Sequence, residues 1–193
     1  MSNKVIGTPT LEQIEAELKK EQHKYSFGRV MRSTIYTLLV VAAVAIITAV
    51  MFFPVLRING TSMTDTLWEG DIVVALNGSN YKTGDIIAFY YNNTILVKRV
   101  IATAGEWVNI DEDGNVYVNG QLLDEPYITD KAFGNCDIKL PYQVPEGRIF
   151  VMGDHRETSI DSRNTAIGCV SEELRVGKIL MRVWPLEGFG FVQ

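Results

Sequence analysis

The sequence predicts a mostly β protein, a twisted antiparallel β-sheet body carried behind a single N-terminal transmembrane helix. Two observations lead to that fold class. Thr34–Phe53 is a run of twenty residues without a charge, closed by Pro54. Beyond residue 55 the chain changes character: short runs rich in Val, Ile, Tyr and Phe are separated by turn dipeptides, and no long helical period appears. Composition agrees with a folded chain, since 47% hydrophobic and 21% charged residues over 193 positions exclude disordered, collagen-like and small disulfide-scaffold proteins.

Residues 1–33 carry six Lys/Arg and four Glu, net +2, and form a polar tail. Within it Leu11, Ile14 and Leu18 stand at helical spacing, which predicts a short surface helix over 11–21. Its polar face mixes Glu with Lys, so the tail reads as solvated. Residues 34–54 are the predicted transmembrane helix, because twenty residues rising 1.5 Å each span ~30 Å, the thickness of a bilayer's hydrocarbon core. A buried core helix is usually shorter or amphipathic. A cleavable signal peptide fits poorly behind 33 polar residues with so long an apolar core. Lys19, Lys20, Lys24, Arg29 and Arg32 precede the span closely and only Arg57 follows it closely. The positive-inside rule then places the N-terminus in the cytoplasm and residues 55–193 outside.

The extracytoplasmic body of 139 residues is long enough for one hydrophobic core. Predicted strands are Asp71–Ala75, Asp85–Tyr91, Thr94–Ile101, Val108–Ile110, Val116–Val118, Arg148–Met152 and Lys178–Trp184, with turns at Asn77-Gly78, Asp113-Gly114, Asn119-Gly120 and Gly153-Asp154. Residues 34–193 carry twelve Lys/Arg against nineteen Asp/Glu, and that acidic balance argues against nucleic acid as a partner. Cys136 and Cys169 lie in a compartment that permits a disulfide, yet the sequence leaves pairing and burial as free thiols equally open. His23 and His155, on opposite sides of the membrane, do not assemble a zinc site.

Three segments hold residues suited to chemistry. In Asn59-Gly60-Thr61-Ser62-Met63, just beyond the predicted span, a turn is followed directly by Ser62 and can hold it exposed. By itself this is an ordinary turn serine, and Thr64 removes the second glycine of a hydrolase elbow. In Leu96-Val97-Lys98-Arg99-Val100, strand alternation sets Lys98 between Leu96 and Val100 on one face. Desolvation there would lower the lysine pKa, as a lysine base requires; an edge-strand lysine snorkelling to water is the competing reading. The third segment runs from Gly153 to Arg163. It gathers Asp154, His155, Arg156, Ser159, Asp161, Ser162 and Arg163, in which Asp161 with Arg163, or Asp154 with Arg156, are candidate ion pairs.

In this order behind one anchor, the stretches FFPVLRINGTSMTDTLWEGD, KTGDIIAFYY, ILVKRVIATAGE and GDHRETSIDSRNTAIG resemble type I signal peptidase, a membrane-bound serine peptidase that removes signal peptides from exported preproteins. The resemblance implies Ser62 as nucleophile and Lys98 as general base. It implies Ser159 as the hydroxyl that orients the lysine amine and Asp161–Arg163 as a supporting salt bridge, with Gly153, Asp154, Arg156 and Ser162 in the same motif. It implies the Ser62 backbone N–H as main oxyanion donor, no cofactor or metal, preproteins with small residues such as Ala before the cut bond, and a cell-membrane location.

Three positions depart from the family pattern. Gly60 offers no hydroxyl as a second oxyanion donor, Asp65 replaces a common proline, and His155 stands where Asn is common. His155 beside Asp154 is the rival base, since a histidine needs no desolvation to be neutral. The apolar neighbours of Lys98, and the family's Asn at 155, decide for the lysine. Two other readings compete. The self-cleaving repressor relatives share the Ser–Lys pair but lack the leading span. A catalytically silent single-span binding protein is disfavoured by the joint presence of Ser62, Lys98 and Ser159.

Overall fold

The computed structural model describes residues 10–78 and 80–192, with no side chains described for 22–26, so His23 and the flanking charge Lys24 lie outside it, as do the first nine residues of the tail. Helix α1 covers Leu11–Phe52 as one element of 42 residues. The sequence predicted two helical pieces, over 11–21 and 34–54. They are continuous because no proline intervenes before Pro54 and Gly28 alone is too weak a break. From Phe27 to Phe52 every residue is exposed, and the segment is long and apolar enough to cross a membrane.

The body is mostly antiparallel β, as expected. Its strands are β1 (Val55–Arg57), β2 (Ile72–Leu76), β3 (Ile86–Tyr91), β4 (Thr94–Ala102), β5 (Trp107–Ile110), β6 (Val116–Val118), β7 (Gln121–Leu122), β8 (Tyr142–Gln143), β9 (Arg148–Met152), β10 (Val170–Ser171), β11 (Arg175–Trp184) and β12 (Gly190–Phe191). All seven predicted strands form. The five that escaped prediction are two or three residues long, too short to show alternation. The large sheet has the order β1-β2-β11-β3-β4-β9-β10, with β12 also on β11, and the small sheet the order β7-β6-β5-β8.

Strand β3 shows why the sequence reads Ile86-Ile87-Ala88-Phe89 without alternation: both of its faces are buried. Ile86 and Ala88 join Ile58, Met63, Leu67 and Val73 in one apolar cluster. Ile87 and Phe89 join Val100, Ile149 and Val151 in another. A third cluster, of Ile101, Phe150 and Met152 with Val108, Ile110 and Val116, joins the small sheet to the large one. Strand β4 pairs with β3 from Thr94 to Arg99 and with β9 from Arg99 onward, so its second half lies inside the sheet. Cys136 is half-buried, Cys169 is buried in the third cluster, and both are free thiols.

Candidate active site

Ser62 stands in a tight turn after β1. Thr64 N–H donates to the Thr61 carbonyl at 3.1 Å and Leu67 N–H to the Met63 carbonyl at 2.8 Å. Met63 and Leu67 are buried under the sheet, which fixes the turn by its apolar side and leaves Ser62 half-buried beside exposed Gly60. The backbone at Gly60 has φ +85°, a left-handed conformation natural to glycine. No acceptor among the described residues takes the Ser62 amide N–H, whereas its carbonyl accepts from the His155 N–H at 3.1 Å.

Lys98 is 3% exposed and sits opposite buried Ile87 in the β3–β4 register, flanked on its own strand by Leu96 and Val100 of the same apolar cluster. Burial to this degree removes the snorkelling alternative. Lys98 Nζ lies 2.6 Å from Ser62 Oγ, bringing together two residues 36 positions apart in the chain. Burial pushes the amine down from 10.5 to about 8; the Asp161 carboxylate pulls upward and its partner Arg163 downward, and desolvation prevails.

The segment from Gly153 to Arg163 wraps this pair. Asp161 and Arg163 form the expected salt bridge as a buried fork, with Nε to Oδ1 and Nη2 to Oδ2 both at 2.9 Å. Burial raises the Asp161 carboxyl, but Arg163 and the Gly153 N–H outweigh it and hold the group below its ordinary value. Ser162 Oγ accepts from the Val151 N–H and donates to the Gly168 carbonyl, stitching the loop to β9. Gly153 lies so close to Ser159 Oγ and to the Ser62 carbonyl that a Cβ there would overlap both. Ser159 is 1% exposed and adjoins the site, but its Oγ makes no hydrogen bond of normal geometry with any described residue, and the contact of Lys98 Nζ is with Ser62.

One predicted pairing is corrected. Asp154 does not bind Arg156. It takes the fork of Arg99, at 2.9 and 2.7 Å, together with the Thr66 hydroxyl, while Arg156 pairs with buried Glu125. Arg99 was visible next to Lys98 but carried no signal of its partner, and Glu125 lies 31 residues from Arg156 with nothing local to mark it. His155 Nδ1 meets Thr158 Oγ1 at 3.0 Å, and its backbone N–H donates to the Ser62 carbonyl. Asp65 accepts from the Thr129 hydroxyl, so the position that departs from the family's proline is tied to the small-sheet side.

Alongside Ser62 runs a cleft of about 730 Å³ between Val55–Gly60 and the β3–β4 hairpin, lined by Leu56, Ile58, Tyr90, Ile95, Leu96 and Val97 among others. Two strand edges face it. Among the described residues β1 pairs only with β2 and the first half of β4 only with β3, because pairing with β9 begins at Arg99.

Known proteins resemble this chain over most of its length. Residues 31–184 match the family described as signal peptidase, peptidase S26. Signal peptidase IB of Staphylococcus aureus strain MRSA252 is 38% identical over 155 residues, covering 69% of this chain and 79% of the relative. Signal peptidase I of Bacillus licheniformis is 35% identical over 153 residues, covering 72% and 81%. A crystal structure of a signal peptidase I from Enterococcus faecalis V583 aligns with a TM-score of 0.44 at 30% identity, over 52% of this chain and 97% of its own. On the breadth of the family match and the identity of these relatives, the chain belongs to the signal peptidase family, peptidase S26.

Proposed function

We propose that this protein is a membrane-anchored endopeptidase that cleaves signal peptides from exported preproteins, with Ser62 as nucleophile and Lys98 as general base. The observation that carries the reading is the 2.6 Å approach of a buried lysine amine to a half-exposed serine hydroxyl. Neutral Lys98 takes the Ser62 proton as Oγ attacks the scissile carbonyl, giving a tetrahedral oxyanion. The unclaimed Ser62 N–H donates to that oxyanion, an interaction worth ~2.7–4 kcal/mol of barrier in serine peptidases. Protonated Lys98 then passes its proton to the leaving amine. A water deprotonated by the same lysine hydrolyses the acyl-enzyme.

The two unpaired strand edges suit a substrate held as an added strand, its backbone satisfied by β1 and β4 and its alternate side chains in the apolar cleft. The anchor is Phe27–Phe52, 26 residues apolar enough to cross a bilayer. Lys19, Lys20, Arg29 and Arg32 set its N-terminal end in the cytoplasm and residues 55–193 on the far side, where exported preproteins emerge. The deciding experiment is incubation of detergent-solubilised protein with a preprotein bearing Ala before the expected cut. Cleavage by the wild type and none by Ser62→Ala is expected; equal cleavage by both would remove Ser62 from the chemistry.

A further inference from the structure

We propose that Glu125, Tyr127 and Thr129, on the segment leaving the small sheet after β7, are positioning residues that brace the Ser62–Lys98 pair from three sides. This rests on Ser62 and Lys98 being the reacting pair. Each of the three side chains ends on a different part of the site.

Glu125 is buried and receives both terminal nitrogens of Arg156, whose Nε donates to the Gly153 carbonyl at 3.2 Å. Gly153 in turn packs on Ser159 Oγ and the Ser62 carbonyl. The first tie therefore reaches the back of the nucleophile through one guanidinium. Tyr127 donates to Glu125 at 3.2 Å, and its ring lies 3.7 Å from Arg99 Cζ. Arg99 follows Lys98 in β4 and bonds Asp154, Thr66 Oγ1 and the Gly84 carbonyl. The second tie thus fixes the strand at the base. Thr129 donates to the Asp65 carboxylate, three residues beyond Ser62, and holds the far end of the nucleophile turn.

None of these three side chains lines the cleft beside Ser62, so direct contact with substrate does not explain them. What they share is that two residues 36 positions apart must keep a hydrogen-bond distance, and the segment 125–129 touches the carriers of both. A displacement of about 1 Å between reacting groups commonly costs ~100-fold in rate. Such a role acts on turnover and leaves substrate binding alone.

The test uses full-length protein in detergent, a preprotein with Ala before the cut, and kcat expressed per folded molecule, with the folded fraction taken from circular-dichroism melting. Glu125→Gln and Tyr127→Leu are expected to lower kcat at least ~10-fold with KM within about twofold. Tyr127→Phe, which keeps the ring over Arg99, is expected to recover to within about threefold of wild type. Thr129→Val, at an exposed position, is expected to lose about threefold. Lys131→Ala, whose amine bonds Asn115 away from the site, serves as the unchanged control. Wild-type kcat per folded molecule in both Glu125→Gln and Tyr127→Leu, or a loss confined to KM, overturns the brace. If Glu125→Gln does not fold, Tyr127→Leu beside Tyr127→Phe decides. Ser62→Ala in the same series separates the two levels: its activity refutes the reacting pair, whereas full activity of the brace variants beside a dead Ser62→Ala refutes the brace alone.

Discussion

In the proposed mechanism Lys98 must shed a proton before it can take one from Ser62, so its depressed pKa writes the expected pH dependence. With the amine at about 8, kcat/KM is expected to climb as pH rises through that value and to fall on the acid side, read from initial rates between about pH 6 and 10. The same shift acts on stability. The unfolded lysine holds its proton up to about 10.4 and the folded one releases it near 8, so stability rises as pH goes from about 8 toward 10, a trend that denaturant midpoints detect. Lys98→Ala and Lys98→Arg are expected to abolish cleavage, Arg because it stays charged. His155→Asn is expected to keep most activity, because its contribution is a backbone N–H that any residue supplies. At this scale strand alternation set Lys98 between apolar neighbours without deciding against an edge-strand lysine, and it was the resemblance that pointed to Ser62 and Lys98 together. It could not show that Arg99 belongs to Asp154, 55 residues on, since an ion pair formed across a fold leaves no trace in local spacing.

Among the elements, the loop from Gly153 to Arg163 carries the sharpest consequences. Asp161→Asn leaves the Arg163 guanidinium buried with half its fork, and removal of one partner of such a pair costs ~3–5 kcal/mol. The melting temperature of that variant should drop accordingly, and a variant as stable as wild type would show the bridge to be dispensable. Gly153→Ala drives a methyl group into the Ser62 carbonyl and Ser159 Oγ. We expect it to fold by circular dichroism while losing at least ~10-fold in kcat, given how steeply rate depends on placement. Strands of four residues or more were legible from their Val/Ile/Tyr content and three-residue β6 from the turn dipeptides on both sides of it. By contrast β1, equally short and bordering the cleft, follows the apolar helix and Pro54 with no such turn before it. The helix was legible as a span but not as one rod. Its Glu/Lys-rich first turns share no apolar stripe with the rest, so periodicity stops before the helix does.

Across the whole molecule the charge is divided into a positive approach to the span and an acidic body. External protease on intact cells is therefore expected to digest residues beyond 55 and to spare the first 33; survival of the body would invert the orientation. Inside that body Arg99, Arg156 and Arg163 each have one carboxylate partner, and all six side chains are nearly or wholly sealed from water. Mobile ions screen only charges they can approach, over a Debye length of about 8 Å at physiological ionic strength and ~3 Å at 1 M. The electrostatic setting of Lys98 is thus closed to the buffer. Its titration midpoint should hold still from dilute to molar salt, leaving ionic strength to act on the protein's encounter with its substrates and with the charged face of a membrane.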